Sequence, residues 1–108
     1  MNAYIVCLVT LNDLKKATEI ARLLLEREIV ACVNLVPQIR SLYRWKGEIC
    51  EDEEILMIIK TREELFDRLL AEIRQHHPYE VPEVISWRIE RGLDEYLQWI
   101  HDATSPKS

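Results

Sequence analysis

The stretch Ile55-Leu56-Met57-Ile58-Ile59-Lys60-Thr61-Arg62-Glu63-Glu64 joins an apolar run to a helix-capping pattern. The apolar run has the composition of a buried strand, and Thr-x-x-Glu is a pattern that opens helices. A stripe at helical spacing follows it, made of Leu65, Phe66, Leu69, Leu70 and Ile73. The stretch therefore predicts a strand that leads directly into a helix.

The same arrangement occurs at the N-terminus. Residues 3–10 (AYIVCLVT) are nearly all apolar and predict a central strand, and Thr10-Leu-Asn-Asp13 matches the capping pattern. Apolar residues then recur at helical spacing, which predicts a helix from about residue 13 to residue 28. The chain thus contains the strand-and-helix unit twice.

A long hairpin separates the two units. Residues 29–46 and 48–61 read as extended legs joined by a tight turn at Lys46-Gly47, and Pro37 predicts a bulge or an edge position in the first leg. Each leg has about 14 residues, whereas strands of ~5–6 residues are common. The hairpin should project from its own domain, and it carries Tyr43 and Trp45, which a small core cannot cover. We therefore expect copies of the chain to associate through residues 30–60, in a closed ring.

A closing strand is predicted at residues 84–89 (VISWRI), followed by a break at Gly92 and a short amphipathic helix. The order β-α-β-β-α-β is typical of the ferredoxin-like sandwich. The predicted fold class is α+β, a ferredoxin-like sandwich with an extra C-terminal helix and a long projecting β-hairpin. It should form one domain over residues 1–103, with a frayed polar tail over residues 104–108.

Composition excludes several classes of function. The formal net charge is -5 and the basic residues are scattered, which argues against a nucleic-acid partner. The apolar N-terminus is too short to span a membrane at ~20 residues and has no signal-peptide pattern, so no membrane association is expected. Three cysteines without CxxC spacing indicate a reducing cytoplasm. No base and nucleophile pair, phosphate-binding glycine loop or HExxH motif points to an enzyme.

The candidate site is the stretch His76-His77-Pro78-Tyr79-Glu80-Val81-Pro82-Glu83, where two prolines restrict the backbone. His76 and His77 either cap the end of the second helix or bind a copper-like or zinc-like ion. Tyr79 and Glu80 either orient a ligand or fasten the loop. Lys60 either reaches into a cleft or lies at a solvated strand end.

The acidic run over residues 51–54 has two interpretations as well. It predicts a solvated strand end protected against edge pairing, or, less directly, a site for a hard cation. Adjacent acids in a strand point to opposite faces, so few of them can converge on one ion.

Several separate motifs resemble the CutA divalent-cation tolerance family. They are Ala31-Cys-Val-Asn34, Ser41-Leu-Tyr43, Trp45-Lys-Gly-Glu48, Ile58-Ile-Lys-Thr61 and His77-Pro-Tyr-Glu-Val-Pro-Glu83, and the resemblance extends from Val6 to about Ile100. It implies a ferredoxin-like fold, a tight homotrimer, a cytoplasmic location and a role in tolerance of copper and other divalent metals.

The resemblance also implies a set of metal ligands. Family members that bind copper use a cysteine on the first strand together with a double histidine, which is present here as His76 and His77. Val9 occupies the matching cysteine position, and Cys7 lies two residues earlier on the same strand face. The implied ligands of copper(II) or another divalent ion are therefore His76, His77 and Cys7.

Two hypotheses of function follow. The first is a metal-binding tolerance protein. The second is a regulatory trimer without catalysis that holds a small ligand in its intersubunit clefts, as the architecture of the PII signalling proteins suggests by analogy. For the second hypothesis the expected ligand-binding residues are Lys60, Tyr79, Trp45 and Glu80.

Overall fold

The computed structural model describes residues 3–105, and its elements follow the predicted order. The elements are β1 (Tyr4–Leu11), α1 (Leu14–Glu26), β2 (Cys32–Trp45), β3 (Glu48–Arg62), a 3-10 turn (Glu63–Leu65), α2 (Phe66–His76), β4 (Val84–Arg88) and α3 (Asp94–Ala103). The predicted α+β class is confirmed. No helix within residues 3–105 is long and apolar enough to cross a membrane.

The four strands form one antiparallel sheet in the order β2-β3-β1-β4. Every second residue of β1 is buried, from Ile5 to Leu11, because successive side chains of a strand point to opposite faces. These residues join the alternate apolar positions of β3 and the inward stripes of α1 and α2 in a single core. The two strand-and-helix units therefore pack as the sequence pattern predicts.

The starts of the two helices differ from the capping prediction. Thr10 stays within β1, and Asp13 caps α1 by accepting a hydrogen bond from the Lys16 amide at 3.1 Å. Thr61 is fully buried, and its hydroxyl donates to the Ile29 carbonyl at 2.6 Å instead of capping a helix. The second helix begins through the 3-10 turn, without a side-chain cap. The helix positions were right and the capping residues were wrong.

The long hairpin has the predicted turn and the predicted bulge. Lys46 and Gly47 have φ angles of 50° and 81°, the left-handed conformations of a two-residue hairpin turn. The pairing of β2 with β3 shifts between Val36 and Ile39, where Pro37 cannot donate to the ladder. Beyond this bulge the hairpin leaves the core, and Leu42 and Ile49 are 64% and 75% exposed.

The C-terminal segment is anchored further than predicted. Thr104, the first residue of the expected frayed tail, is only 2% exposed. The Arg62 guanidinium donates to the Thr104 hydroxyl and to its carbonyl, both at 2.8 Å. This contact fixes the end of α3 against the end of β3. The rest of the predicted tail, after Ser105, lies outside the described residues.

Candidate functional site

His77 closes the second helix and fastens the loop that follows it. Pro78 keeps His77 in extended geometry with ψ 136°, so the chain leaves α2 there, while the His77 amide still donates to the Ile73 carbonyl at 2.8 Å. His77 is buried, with 8% of the residue exposed. Its Nδ1 accepts from the Tyr79 amide at 3.0 Å, so its Nε2 carries the proton and donates to the Thr10 carbonyl at 2.8 Å.

Burial lowers the pKa of His77, although the Thr10 hydrogen bond and the charge of Glu54 act in the opposite direction. The ring is therefore held neutral, with both nitrogens in use. A metal ion could bind this histidine only if one of those two hydrogen bonds were broken. The His77 ring thus ties the end of α2 to the Thr10 carbonyl of β1, and the predicted cap on the carbonyls of α2 is wrong for this residue.

His76 has a different environment. Its Nε2 is buried and has no hydrogen-bond partner among the residues the structure describes. The Glu72 Oε2 lies 3.5 Å from it, one turn earlier on the same face of α2. That carboxylate oxygen also lies 2.6 Å from Nη1 of Arg27. One imidazole nitrogen and one carboxylate are therefore close together, beside a competing guanidinium.

Cys7 lies inside the core. It is 0% exposed, as is Val9, and burial raises the pKa of the Cys7 thiol to about 12. Within residues 3–105, no group of three or more His, Cys, Asp or Glu side chains lies close enough to hold a metal ion. The structure therefore does not bring His76, His77 and Cys7 together as one set of ligands.

Tyr79 connects the loop after α2 to the base of the hairpin. Its hydroxyl donates to Oε2 of Glu54 at 2.7 Å, and its ring packs edge-to-face against His77 with centroids 4.7 Å apart. Burial, and then the Glu54 acceptor, raise the pKa of Tyr79, so the hydroxyl keeps its proton. Glu54 is 6% exposed. The last acid of the acidic run is thus buried, so the interpretation of the run as a solvated strand end holds for residues 51–53, which are exposed, and fails at Glu54.

The other acids of the run have partners on the hairpin. Tyr43 donates its hydroxyl to Asp52, and this hydrogen bond raises the pKa of Tyr43 to about 12. Arg40 pairs with Glu51 at 2.6 Å across the strands. Both contacts are diagonal across the β2–β3 pair, because Tyr43 lies opposite Cys50 and Arg40 lies opposite Glu53. Diagonal neighbours on one face of a sheet are within reach of such long side chains.

A cavity of about 680 Å³ lies between the hairpin and the loop after α2. Its walls hold aromatic, acidic and apolar groups. The lining residues are Thr10, Arg40, Ser41, Leu42, Tyr43, Trp45, Glu54, Tyr79, Glu80, Val81 and Glu83. Such a volume is within the range of small-molecule sites, and Glu54 is the deeply buried charge on its wall.

Comparison with known proteins places the chain in a family. The profile of the CutA1 divalent ion tolerance proteins matches residues 5–103. The chain belongs to the CutA1 family. Protein CutA of Mus musculus is 50% identical over 100 residues, which are 93% of this chain and 56% of the mouse protein. The divalent-cation tolerance protein CutA of Thermus thermophilus is 41% identical over 99 residues, covering 92% of this chain and 96% of that protein.

Solved CutA1 structures have the same fold. The divalent ion tolerance protein CutA1 of Ehrlichia chaffeensis superposes with a TM-score of 0.92 at 30% identity, covering 98% of this chain and 99% of the other. The periplasmic divalent cation tolerance protein CutA of Archaeoglobus fulgidus gives a TM-score of 0.89 at 39% identity, covering 97% and 100%. The chain spans little more than half the length, 56%, of the mouse and human relatives.

For the CutA1 chain, the structure brings three of the four residues predicted for a ligand cleft to one cavity. Trp45, Tyr79 and Glu80 all line it. Lys60 does not, since its ammonium group binds the Asn34 side chain and lies 3.9 Å from Sγ of Cys32.

Sequence reasoning missed Tyr43, Glu54 and Glu72 as site residues. Tyr43 had a signal, because it lies two residues from Trp45 and therefore on the same strand face. Glu72 had a weaker signal, being one helical turn before His76. Glu54 was considered only within the acidic run, as part of a solvated strand end or a hard-cation site, and nothing in the sequence indicated its partner Tyr79, 25 residues away in the chain.

Proposed function

We propose that this CutA1-family chain acts in tolerance of divalent metal ions as a cytoplasmic homotrimer that binds copper(II) or a similar cation, without catalysis. The observation that carries the metal site is the buried, unpartnered Nε2 of His76 beside the Glu72 carboxylate. An unpaired buried polar atom is costly, so a group that pairs it gains free energy.

The two side chains fit a borderline metal ion. Imidazole suits copper, zinc and nickel, and the affinity of such a site is highest for copper(II) among divalent first-row metals. The 3.5 Å between Nε2 and Oε2 agrees with two ligands that each lie ~2.0–2.2 Å from one ion. Arg27 competes for Glu72, so the ion must displace that contact or use the other oxygen. The other two expected ligands are engaged elsewhere. His77 would have to break one of its two hydrogen bonds, and Cys7 would have to move out of the core, before either could bind the ion.

A copper titration tests the site. Metal-free protein is titrated by calorimetry beside His76→Ala and, as a matched control, His101→Ala, which removes a histidine from the last turn of α3. We expect copper affinity to fall at least tenfold in His76→Ala and to be unchanged in His101→Ala. A parent protein that binds no copper, or a His76→Ala variant that binds as tightly as the parent, would refute the proposal.

The trimer is supported by the apolar surface of the hairpin. Leu42 and Ile49 are 64% and 75% exposed on one face of the hairpin, opposite the face that carries Tyr43 and Trp45. Long strands with exposed apolar residues are prone to associate with another chain. Light scattering at micromolar concentration should give three times the 12.8 kDa chain mass. A mass equal to that of one chain would refute the proposed trimer.

The cytoplasmic location is supported by three free cysteines, Cys7, Cys32 and Cys50. Free thiols are typical of reducing compartments. Relatives include a CutA named chloroplastic in Arabidopsis thaliana and one named periplasmic in Archaeoglobus fulgidus. Fractionation of the source cells, with the protein expected in the cytoplasmic fraction, decides between these locations.

The cavity favours a second candidate function, a PII-like trimer that binds a small regulatory ligand. About 680 Å³ lie between the hairpin and the loop, and a buried carboxylate faces this space from the wall. A ligand there would contact both segments at once, so its binding would report on the contact between the hairpin and the loop after α2.

A further inference from the structure

We propose that the cavity between the hairpin and the loop binds a small organic cation, an ammonium compound, with Glu54 as its counter-ion and an aromatic wall formed by Tyr43, Trp45 and Tyr79. The inference rests on the second candidate function, which assigns this cavity to a small ligand. It names the chemistry of that ligand.

The charge of the cavity wall favours a cation. Glu54, Glu80 and Glu83 face one cation among the lining residues, Arg40. The Arg40 guanidinium is already paired with Glu51 at 2.6 Å, a residue outside the cavity wall. The remaining potential is therefore negative, and it repels anions and attracts cations.

Glu54 has one carboxylate oxygen available to a ligand. Its side chain belongs to a residue that is only 6% exposed, yet it borders the cavity. The Tyr79 hydroxyl donates to Oε2 of Glu54. Among the side-chain hydrogen bonds in residues 3–105, none involves Oε1 of Glu54. A carboxylate in this position lacks a second donor or a counter-ion, which an ammonium group supplies.

Three aromatic rings form part of the cavity wall. Tyr43, Trp45 and Tyr79 line the same cavity as the carboxylate. Both tyrosine hydroxyls donate to carboxylates, Tyr43 to Asp52 and Tyr79 to Glu54, so neither proton is free to donate to a ligand anion. Aromatic groups beside a carboxylate are the arrangement that recognises organic ammonium ions.

A metal ion fits this cavity less well. A hard cation needs several oxygen ligands that converge on it, and the described part of the chain contains no such group of three acidic or histidine side chains. An organic cation needs a single carboxylate and aromatic contact area instead. Its size also suits a cavity of about 680 Å³, which is far larger than a bare ion requires.

The test compares three probes of similar size by calorimetry and by NMR line shifts of the tryptophan indole protons. They are choline, its neutral carbon isostere 3,3-dimethylbutan-1-ol, and glutarate as an anion. We expect choline to bind with a dissociation constant of about 1 mM or lower. The isostere should bind about tenfold more weakly, because it lacks the charge.

Two pairs of variants locate the site. Glu54→Gln keeps an acceptor for the Tyr79 hydroxyl and removes the charge, and it should weaken choline binding at least tenfold. Glu53→Gln removes the same charge from an exposed neighbour on the opposite strand face and should change the affinity less than twofold. Trp45→Leu should also weaken binding, whereas Trp87→Leu, outside the cavity wall, should not.

Any other result overturns the proposal of a cation ligand. The pattern of results also shows whether the small-ligand function fails with it. Equal binding of choline and its isostere, or preferred binding of glutarate, would leave a small-ligand cavity whose ligand is not a cation. Choline binding that is unaffected by Glu54→Gln would place the cation elsewhere. Binding of none of the three probes would overturn the cation inference and the small-ligand function together.

Discussion

Tyr79→Phe removes one hydroxyl and should destabilise the chain more than its size suggests. The hydroxyl is a donor to Oε2 of Glu54 at 2.7 Å, and Glu54 is 6% exposed. Phenylalanine keeps the edge-to-face contact with His77, since that contact uses the ring alone. The change therefore isolates a single hydrogen bond between the loop after α2 and the base of the hairpin.

The expected cost follows from the charge of the acceptor. Hydrogen bonds to charged groups contribute about 1.5–3 kcal/mol, and a buried acceptor that loses its donor keeps its desolvation cost. For a chain of this size, 1 kcal/mol corresponds to about 4 °C, so the unfolding midpoint should fall by about 6–12 °C. The proposed association with other copies would make the midpoint depend on concentration, so parent and variant are compared at equal chain concentration.

Thermal unfolding followed by circular dichroism measures this effect, with Tyr43→Phe as the matched control. Tyr43 also donates to a carboxylate, but Asp52 is exposed and water can replace the lost donor. The loss in Tyr43→Phe should therefore be clearly smaller. A loss in Tyr79→Phe below about 0.5 kcal/mol, or no larger than in Tyr43→Phe, would show that the Glu54 contact does not hold the loop.

Three further predictions concern the fold. Thr61→Val should lower the free energy of unfolding, measured with denaturant, by about 1–2 kcal/mol, because the Ile29 carbonyl loses its buried donor. Thr18→Val on the surface of α1 should lower it less, and equal losses would contradict the prediction. Gly47→Ala should cost about 1 kcal/mol because its φ is 81°, although no atom lies within 4 Å of the added methyl group; an unchanged midpoint would contradict the strain. His77 is held neutral by a lowered pKa, so its contribution to stability is fully present above the usual value of 6.5 and is lost as the pH falls from there through the lowered pKa. In metal-free protein His77→Gln should therefore flatten the fall in stability from pH 7 to pH 5, and an identical pH profile would refute it.

The strands and the hairpin could be predicted because their signals are local. The alternation of buried residues in β1, the Lys46-Gly47 turn and the bulge at Pro37 each depend on residues close together in the chain. The exit of His77 from helical geometry was also local, because the proline after it restricts its backbone.

The side-chain partners could not be predicted, because they come from distant parts of the chain. Thr61 matched a capping pattern, but the Ile29 carbonyl, 32 residues away, takes its hydroxyl. Glu54 sits in an acidic run that indicates solvent, and Tyr79 holds it in a buried position. Lys60 lies at a strand end, and its sequence position did not indicate that it would bind the Asn34 side chain and not the cavity.

The adjacent histidines show the same limit within one dipeptide. His77 uses both ring nitrogens in hydrogen bonds, while His76 keeps a buried nitrogen without a partner in the described chain. The sequence offered capping and metal binding as alternatives for the pair. The structure favours a different role for each member.

Electron paramagnetic resonance of one equivalent of copper(II) per chain tests the proposed metal site most directly. We expect a signal with coupling to an imidazole nitrogen that disappears in His76→Ala and remains in His77→Gln. Of these two histidines, His76 has a buried ring nitrogen without a partner, whereas His77 uses both of its ring nitrogens in hydrogen bonds. A signal unchanged in His76→Ala, or one lost in His77→Gln alone, would contradict the assignment of the metal to His76.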